Sequence, residues 1–181
     1  MKQNITLFVG DNAVGKTRKL KKIIKDCLNN EIEVVNNVVG YSTVESIDID
    51  NEKLELIRRS NNKLYNQLNN HELNLNTRQI NHIKKLFEII CSKGKVLVLD
   101  ELDATLRTRD IVYIARAISS VRSLWDEIFV TGHHLNITML FVDFNSEMEE
   151  EAYTPNIHLI GDNIEDIPIT EEQANEYLDA I

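Results

Sequence analysis

The chain has 181 residues and a formal net charge of −9, with 43% hydrophobic and 27% charged residues. This length predicts one domain over residues 1–181, and the composition excludes disordered and fibrous classes of protein. The negative charge disfavours non-specific attraction to nucleic acid, because phosphate binding relies on clustered Lys and Arg. A basic run at 18–25 nevertheless leaves contact with nucleic acid open.

Cysteine usage and the absence of long apolar runs predict the cellular location. Cys27 and Cys91 each lie in an apolar helical pattern, which predicts free core thiols in a reducing compartment. The first residues lack the charged lead and apolar core of a signal peptide. No apolar run approaches the roughly 20 residues of a membrane span. We therefore expect a cytoplasmic protein with no membrane partner.

The first predicted element is the apolar run Ile5–Val9, typical of a strand buried on both faces of a parallel sheet. A loop with the spacing GxxxxGK(S/T) follows it, and a helix is predicted over 16–28. Between a strand and a helix, such a loop wraps backbone N–H groups round phosphates, sends a lysine to the terminal phosphates and places a hydroxyl on Mg²⁺. The predicted phosphate-binding residues are Gly10, Asp11, Asn12, Ala13, Val14, Gly15, Lys16 and Thr17, with Thr17 also a metal ligand.

The middle of the chain predicts a second strand over 31–39 and then a small helical insertion over about 45–92. Its first part is rich in Asn but carries apolar residues at helical spacing, which predicts one or two helices. These apolar residues are Leu54, Ile57, Leu64 and Leu68. Residues 78–92 repeat apolar positions at three and four and predict a strongly amphipathic helix closed by Gly94.

The remaining chain alternates strand and helix patterns. The further predicted elements are a core strand at Val96–Leu99, a helix over 110–124, a core strand over 128–130, strands over 135–144 and 157–160, and a closing helix from Thr170, with Pro155 and Pro168 in loops. This alternation predicts an α/β fold, a P-loop NTPase with a mostly parallel central sheet flanked by helices.

Two carboxylates follow the strand that ends at Leu99. Asp100 and Glu101 stand at the carboxyl edge of the predicted sheet, where ligands bind in open α/β folds. In a phosphate-loop enzyme, Asp100 would hold Mg²⁺ beside Thr17, and Glu101 would orient and deprotonate the attacking water. We therefore predict Asp100 as a metal ligand and Glu101 as a catalytic residue.

A histidine follows the next core strand. His133 comes after Thr131 and Gly132, so it reaches the same edge, where an imidazole can hydrogen-bond a γ-phosphate. We predict His133 as a catalytic residue, whereas the adjacent His134 carries no such prediction.

The segment Asp100-Glu101-Leu102-Asp103-Ala104-Thr105-Leu106, followed by Thr131-Gly132-His133, resembles the second half of an ABC-type ATPase. The resemblance is greatest to the AAA_15/AAA_21 (OLD-like) branch, and it covers the phosphate loop and about 76–134. It implies ATP and Mg²⁺ as cofactors, Glu101 as the catalytic base, Asp103 in a loop that communicates across a dimer, and His133 as the switch histidine.

The chain departs from that family at three positions. The signature turn, which offers N–H groups to the γ-phosphate of the opposite subunit, should fall at 75–79, where both glycines are absent. Asn76 or Thr77 could cap the helix there and bind the phosphate, or serve only as a cap. Family members carry adenine-stacking strands before the phosphate loop, whereas nine residues precede Gly10 in this sequence, and only Gln67 is a candidate for the Mg²⁺-sensing glutamine.

The leading hypothesis is an ATPase that dimerises with ATP, as a homodimer or heterodimer, and regulates an effector protein. A second hypothesis is a nucleotide-gated interaction module with little turnover, which the weak signature favours. A third is a small P-loop kinase, for which arginines at 107–122 could form a lid. Release of phosphate by the wild type and by Glu101→Gln should distinguish the first two hypotheses, and phosphate transfer from ATP to nucleosides would indicate the third.

Overall fold

The computed structural model describes residues 4–10, 15–41, 48–60, 77–102, 114, 117–132, 156–161 and 164–169. Six strands form one sheet in the order β2-β3-β4-β1-β5-β6. All neighbouring pairs are parallel except β5 and β6, which are antiparallel. The strands are β1 Ile5–Val9, β2 Val34–Asn36, β3 Val96–Leu99, β4 Glu127–Thr131, β5 Asn156–Gly161 and β6 Ile164–Ile169. This architecture confirms the predicted α/β class.

Helices pack on the sheet through two separate apolar clusters. The α-helices are α1 Lys16–Asn29, α2 Asn51–Ser60 and α3 Thr77–Ile90, and a short 3-10 helix covers Arg122–Leu124. Leu97 and Leu99 pack with α2, α3 and the helical residues 117–121, whereas Val96 and Val98 pack with α1. Since successive strand side chains point to opposite faces, burial on both faces explains the uninterrupted apolar run of β3.

The first helix begins where the phosphate loop ends. Gly15 has φ +100°, a left-handed conformation that glycine adopts at little cost. Lys19 N–H donates to the Gly15 carbonyl at 2.9 Å, which closes the first helical turn. Leu20, Ile24 and Cys27 then bury one face of α1 against β3 and β2. Gly15 thus sets the direction in which the chain passes from the phosphate loop into α1.

The segment before α2 and the segment after α3 are joined at their base. Ile49 and Ser92 form an antiparallel bridge, and Asp50 N–H donates to the Cys91 carbonyl at 2.7 Å. Lys93 N–H donates to the Asp48 carbonyl at 2.8 Å. Chain entry into the predicted insertion therefore lies beside chain exit from it.

A buried polar cluster lies at the amino ends of the strands. Lys53 Nζ donates to the Ser92 carbonyl at 2.8 Å and to the Gly94 carbonyl at 3.3 Å, and it lies 3.3 Å from the ring centroid of Trp125. A Cβ on Gly94 would lie 2.8 Å from Val35 Cγ2, so this close packing requires glycine. Asn4 Nδ2 donates to the Trp125 carbonyl at 2.8 Å. Backbone carbonyls and the Trp125 ring thus surround the Lys53 ammonium at the amino edge of the sheet.

Several predicted boundaries are corrected by the structure. The strand predicted over 31–39 is limited to Val34–Asn36, because Glu31 turns the chain with φ +56° and Asn36 caps the next turn by accepting from Val38 N–H. Pro168 lies in β6, not in a loop; an edge strand tolerates proline, which has no backbone N–H to donate, because one side of an edge strand pairs with no neighbouring strand. β6 itself was not predicted.

Other predicted elements coincide with the structure or lie outside the described residues. The predicted helices over 16–28 and 78–92 match α1 and α3, and the strand predicted over 157–160 matches β5. Of the helix predicted over 110–124, residues 114 and 117–121 are helical and Arg122–Leu124 form the 3-10 helix. Outside the described residues lie Leu64, Leu68, Pro155, 135–144 and the closing helix from Thr170. Within the described part of the chain, no helix has the length and apolar content needed to cross a membrane.

Candidate functional site

Three adjacent parallel strands end at one edge of the sheet, and the predicted site residues follow them. Phe8 of β1 pairs with Thr131 of β4, and Leu99 of β3 pairs with Val130 of β4. This register places Gly10, Asp100 and Gly132 immediately past three neighbouring strand ends. The carboxyl edge of a parallel sheet is where ligands bind in this class of fold.

Lys16 lies at this edge and bridges two of the strand ends. Its Nζ donates to the Gly10 carbonyl at 2.5 Å and to the Gly132 carbonyl at 3.3 Å, and the residue is 6% exposed. A buried ammonium is costly unless it is hydrogen-bonded, so carbonyls with no net charge hold it here. Phosphate oxygens, which carry full charge, would bind this ammonium more strongly than those carbonyls do.

Asp100 accepts hydrogen bonds from hydroxyls on both sides of it. Thr17 Oγ1 donates to Asp100 Oδ2 at 2.8 Å, and Thr131 Oγ1 donates to Asp100 Oδ1 at 2.6 Å. Thr17 stands in the first turn of α1 and Thr131 ends β4. The carboxylate is therefore fixed between the phosphate loop and the end of the neighbouring strand.

Glu101 turns the chain away from β3 in a conformation that is unusual for a residue with a side chain. Its φ is +50°, which costs about 1–2 kcal/mol for an L-residue other than glycine. Two hydrogen bonds hold the turn: Glu101 N–H donates to Thr131 Oγ1 at 2.8 Å, and Leu102 N–H donates to the Thr131 carbonyl at 3.0 Å. At about 1 kcal/mol each, these bonds offset the strain. The Glu101 residue is exposed, whereas Leu102 is buried.

Asn37, which follows β2, holds the backbone of Asp100 from the other side. Its Nδ2 donates to the Asp100 carbonyl at 3.1 Å, and its Oδ1 accepts from Asp100 N–H at 2.7 Å. Asn37 N–H donates to the Val98 carbonyl at 3.3 Å, which continues the ladder between β2 and β3. The Mg²⁺-sensing glutamine of the family that the sequence resembles would stand at the end of this strand, and the structure has the Asn37 amide there.

The donor set at this edge fits Mg²⁺. Thr17 and Asp100 supply a hydroxyl and a carboxylate oxygen, the hard oxygen ligands that this ion takes. Among the residues that the structure describes, no group of three His, Cys, Asp or Glu residues could hold a metal. Mg²⁺ in phosphate sites needs only one or two protein ligands, since water and phosphate oxygens complete its shell.

The structure brings together five of the predicted site residues: Gly10, Lys16, Thr17, Asp100 and Glu101. Gly15 directly precedes Lys16 at the start of α1, and Thr77 is the first residue of α3. Lying outside the described residues are Asp11, Asn12, Ala13, Val14, Asn76, Asp103, Gln67 and His133.

Sequence reasoning missed the site roles of Asn37 and Thr131. Both are short polar residues at the carboxyl ends of strands that flank β3: Thr131 directly follows the apolar run 128–130, and Asn37 follows Asn36, the last residue of β2. That position is a detectable signal, because a polar side chain at the carboxyl end of a core strand faces whatever follows the neighbouring strand. Only the strand order β2-β3-β4 shows that both residues flank Asp100.

Comparisons with known proteins identify the fold. No protein-family model and no curated protein sequence matches the chain. Among solved structures, a putative ATP-binding protein of an ABC transporter from Pyrococcus furiosus aligns over 88% of this chain and 85% of its own, at 13% identity and TM-score 0.51. The ADP form of MJ1267, an ATP-binding cassette of an ABC transporter, aligns over 98% and 85%, at 12% identity and TM-score 0.54.

A third solved structure, described as an RNase-L inhibitor, aligns over 99% of this chain and 37% of its own, at 16% identity and TM-score 0.56. This chain therefore spans just over a third of that protein. At such sequence identities, structural similarity establishes the fold. The activity has to be inferred from the residues of the site. The chain has the P-loop NTPase fold of ABC ATPase nucleotide-binding domains.

Proposed function

We propose that the chain binds ATP with Mg²⁺ and hydrolyses it to ADP and phosphate at the carboxyl edge of the sheet. The observation that carries this proposal is the 2.8 Å hydrogen bond from Thr17 Oγ1 to Asp100 Oδ2. It joins the phosphate-loop hydroxyl to the strand-end carboxylate across 83 residues of sequence. Phosphoryl transfer needs such a pair, because a hydroxyl and an acid hold the ion that neutralises the phosphates.

Each residue of the site has a distinct task in this proposal. The loop amides of 10–17 and Lys16 Nζ bind the β- and γ-phosphates, and Lys16 exchanges its carbonyl partners for phosphate oxygens. Thr17 and Asp100 hold Mg²⁺, which neutralises charge on the phosphates when it is bound. Glu101 accepts a proton from the attacking water as general base.

The proposal extends to Thr77, the first residue of α3, and to Asn76, Asp103 and His133, which the structure does not describe. His133 hydrogen-bonds the γ-phosphate, and Asn76 and Thr77 present the amino end of α3 to the nucleotide of a second subunit. Asp103 joins the two subunits, so ATP closes a dimer and hydrolysis opens it. The chain acts in the cytoplasm on an effector protein, and the resemblance of the segment 100–106 supports membership of the OLD-like branch of the ABC-type ATPases.

Phosphate release by Glu101→Gln tests the enzymatic part. The amide keeps the size of the side chain but cannot accept the proton of water, so kcat should fall by about 10²–10⁴-fold while ATP affinity changes little. Glu33→Gln is the matched control, because Glu33 is exposed before β2, at the opposite edge of the sheet. Equal rates near zero for wild type and Glu101→Gln would favour the nucleotide-gated module. Transfer to nucleosides would favour a kinase.

Sedimentation of Glu101→Gln with MgATP tests the dimer. The chain has a mass of 20.9 kDa, and a variant that binds without hydrolysing should accumulate as a species of twice that mass. ADP should leave it monomeric. A monomer in both nucleotides would contradict ATP-dependent homodimerisation and leave a heterodimer as the form to test with the effector protein.

A further inference from the structure

Thr131, at the end of β4, hydrogen-bonds to three consecutive residues that follow β3. These are Asp100, Glu101 and Leu102, here called the acidic turn. Thr131 Oγ1 donates to Asp100 Oδ1 at 2.6 Å and accepts from Glu101 N–H at 2.8 Å. Its carbonyl accepts from Leu102 N–H at 3.0 Å. Thr131 is 1% exposed, so water does not compete for these bonds. A single residue thus joins the metal-side carboxylate to the backbone of the predicted base.

The hydroxyl of Thr131 has one proton and acceptor lone pairs, and the structure uses both kinds of group. The proton goes to Asp100, and a lone pair receives the Glu101 N–H. No isosteric apolar side chain can perform either task. Glu101 departs from the strand with φ +50°, and its N–H is fixed by this hydroxyl. The direction in which Glu101 leaves β3 therefore depends on Thr131.

The end of β4 also reaches the phosphate lysine. Gly132, the residue after Thr131, accepts from Lys16 Nζ at 3.3 Å through its carbonyl. The end of β4 therefore contacts both Lys16, which is proposed to bind phosphate, and Glu101, which is proposed to activate water. Among the described residues, the hydrogen bonds of the Thr131 hydroxyl go to Asp100 and Glu101.

We propose that Thr131 is a positioning residue for ATP hydrolysis. It sets the distance between the Asp100 carboxylate, which holds Mg²⁺, and the Glu101 carboxylate, which activates water. This inference rests on the proposed function. Because the hydroxyl bonds to Asp100 and Glu101, whereas Lys16 Nζ bonds to the Gly10 and Gly132 carbonyls, loss of the hydroxyl acts on the chemical step more than on ATP binding.

Steady-state kinetics of two substitutions test this role. Thr131→Val keeps the branched shape and removes the hydroxyl, so kcat should fall by about 10–100-fold while KM for ATP stays within threefold. Thr131→Ser keeps the hydroxyl and should restore kcat to within threefold of wild type. Thr6→Val is the matched control, since Thr6 is a buried strand threonine in β1, 7% exposed, and should leave both constants unchanged.

Two kinetic results would overturn the proposal. One is a folded Thr131→Val with the kcat of the wild type. The other is a loss of kcat that Thr131→Ser reproduces in full, since a serine hydroxyl can make both bonds.

Amide hydrogen exchange keeps the role testable where Thr131→Val does not fold or the wild type does not hydrolyse ATP. The Glu101 amide should exchange slowly in the wild type and in Thr131→Ser, and at least tenfold faster in Thr131→Val if that variant folds. Fast exchange in the wild type would overturn the positioning role. A wild type that is slow in exchange but inactive would overturn the ATPase proposal alone.

Discussion

Two buried lysines lie at opposite edges of the sheet. Both donate hydrogen bonds to backbone carbonyls, but they have different roles. Lys16 donates to the carbonyls of Gly10 and Gly132 at the carboxyl edge. Lys53 donates to the carbonyls of Ser92 and Gly94 at the amino edge. Chemistry at the ammonium group alone does not tell them apart.

Their surroundings do distinguish them. Lys16 follows the left-handed Gly15, and the Thr17 hydroxyl and Asp100 carboxylate lie at the same edge, so its surroundings suit a phosphate. Lys53 lies 3.3 Å from the Trp125 ring centroid and is 1% exposed, so its described surroundings are an aromatic ring and backbone carbonyls, with no phosphate loop or acidic strand end beside them among the described residues. The comparison shows that a buried lysine indicates a binding site only where an exchangeable partner and an acidic metal ligand accompany it.

The largest expected effect separates the two lysines directly. Lys16→Met should weaken MgATP binding by 100-fold or more, about 3 kcal/mol, because the charge-assisted bonds to phosphate are lost. Lys53→Met should leave MgATP affinity within threefold of wild type. Calorimetric titration of both variants, after circular dichroism has shown that they fold, measures the difference. Equal losses in the two variants would remove the functional distinction between the edges.

The pH dependence of stability sharpens the assignment of Lys53 as a structural residue. Burial lowers the pKa of Lys53 from 10.5 to about 8 in the folded chain. Between these values the unfolded chain keeps the proton that the folded chain has released, so the free energy of unfolding rises with pH. Between pH 8 and 10.5 the free energy of unfolding rises by about 3 kcal/mol, and below pH 8 the contribution of Lys53 does not change with pH. Urea unfolding of wild type minus Lys53→Met isolates this term, and a difference independent of pH would contradict it.

A smaller effect is expected where the carboxyl edge is held by Asn37. Asn37→Ala leaves the N–H and carbonyl of Asp100 without their partner and should lower stability by about 2 kcal/mol. Asn30→Ala is the control, because its exposed amide makes one local bond to the Asp26 carbonyl. Urea denaturation compares the two. A loss no greater than that of Asn30→Ala would show that the Asp100 backbone does not depend on Asn37.

The sequence predicted what local patterns encode. The apolar run Val96–Leu99 and the spacing from Gly10 to Thr17 are local signals, and both coincide with the structure as a buried strand and a helix start. The placement of Asp100 beside Thr17 was predicted from the chemistry of phosphate-loop enzymes, and in the structure a 2.8 Å hydrogen bond joins the two side chains. β6 was missed because Pro168 argues against a strand, and only an edge position permits it.

The sequence could not predict contacts that depend on strand order. Asn37 and Thr131 lie far from Asp100 in sequence, and their roles follow from β2 and β4 both flanking β3. The left-handed conformation of Glu101 was equally unpredictable, since a glutamate after a strand carries no signal for positive φ. These features arise from tertiary packing, which periodicity does not record.

Hydrogen exchange of the wild type with and without MgATP tests the contrast between the two edges most directly. We expect MgATP to slow exchange at 15–17, 100–102 and 131–132, which lie at the carboxyl edge. Peptides covering Lys53, 92–94 and Trp125 should exchange at the same rate in both conditions. Protection at the amino edge, or no change at the carboxyl edge under saturating MgATP, would contradict the account.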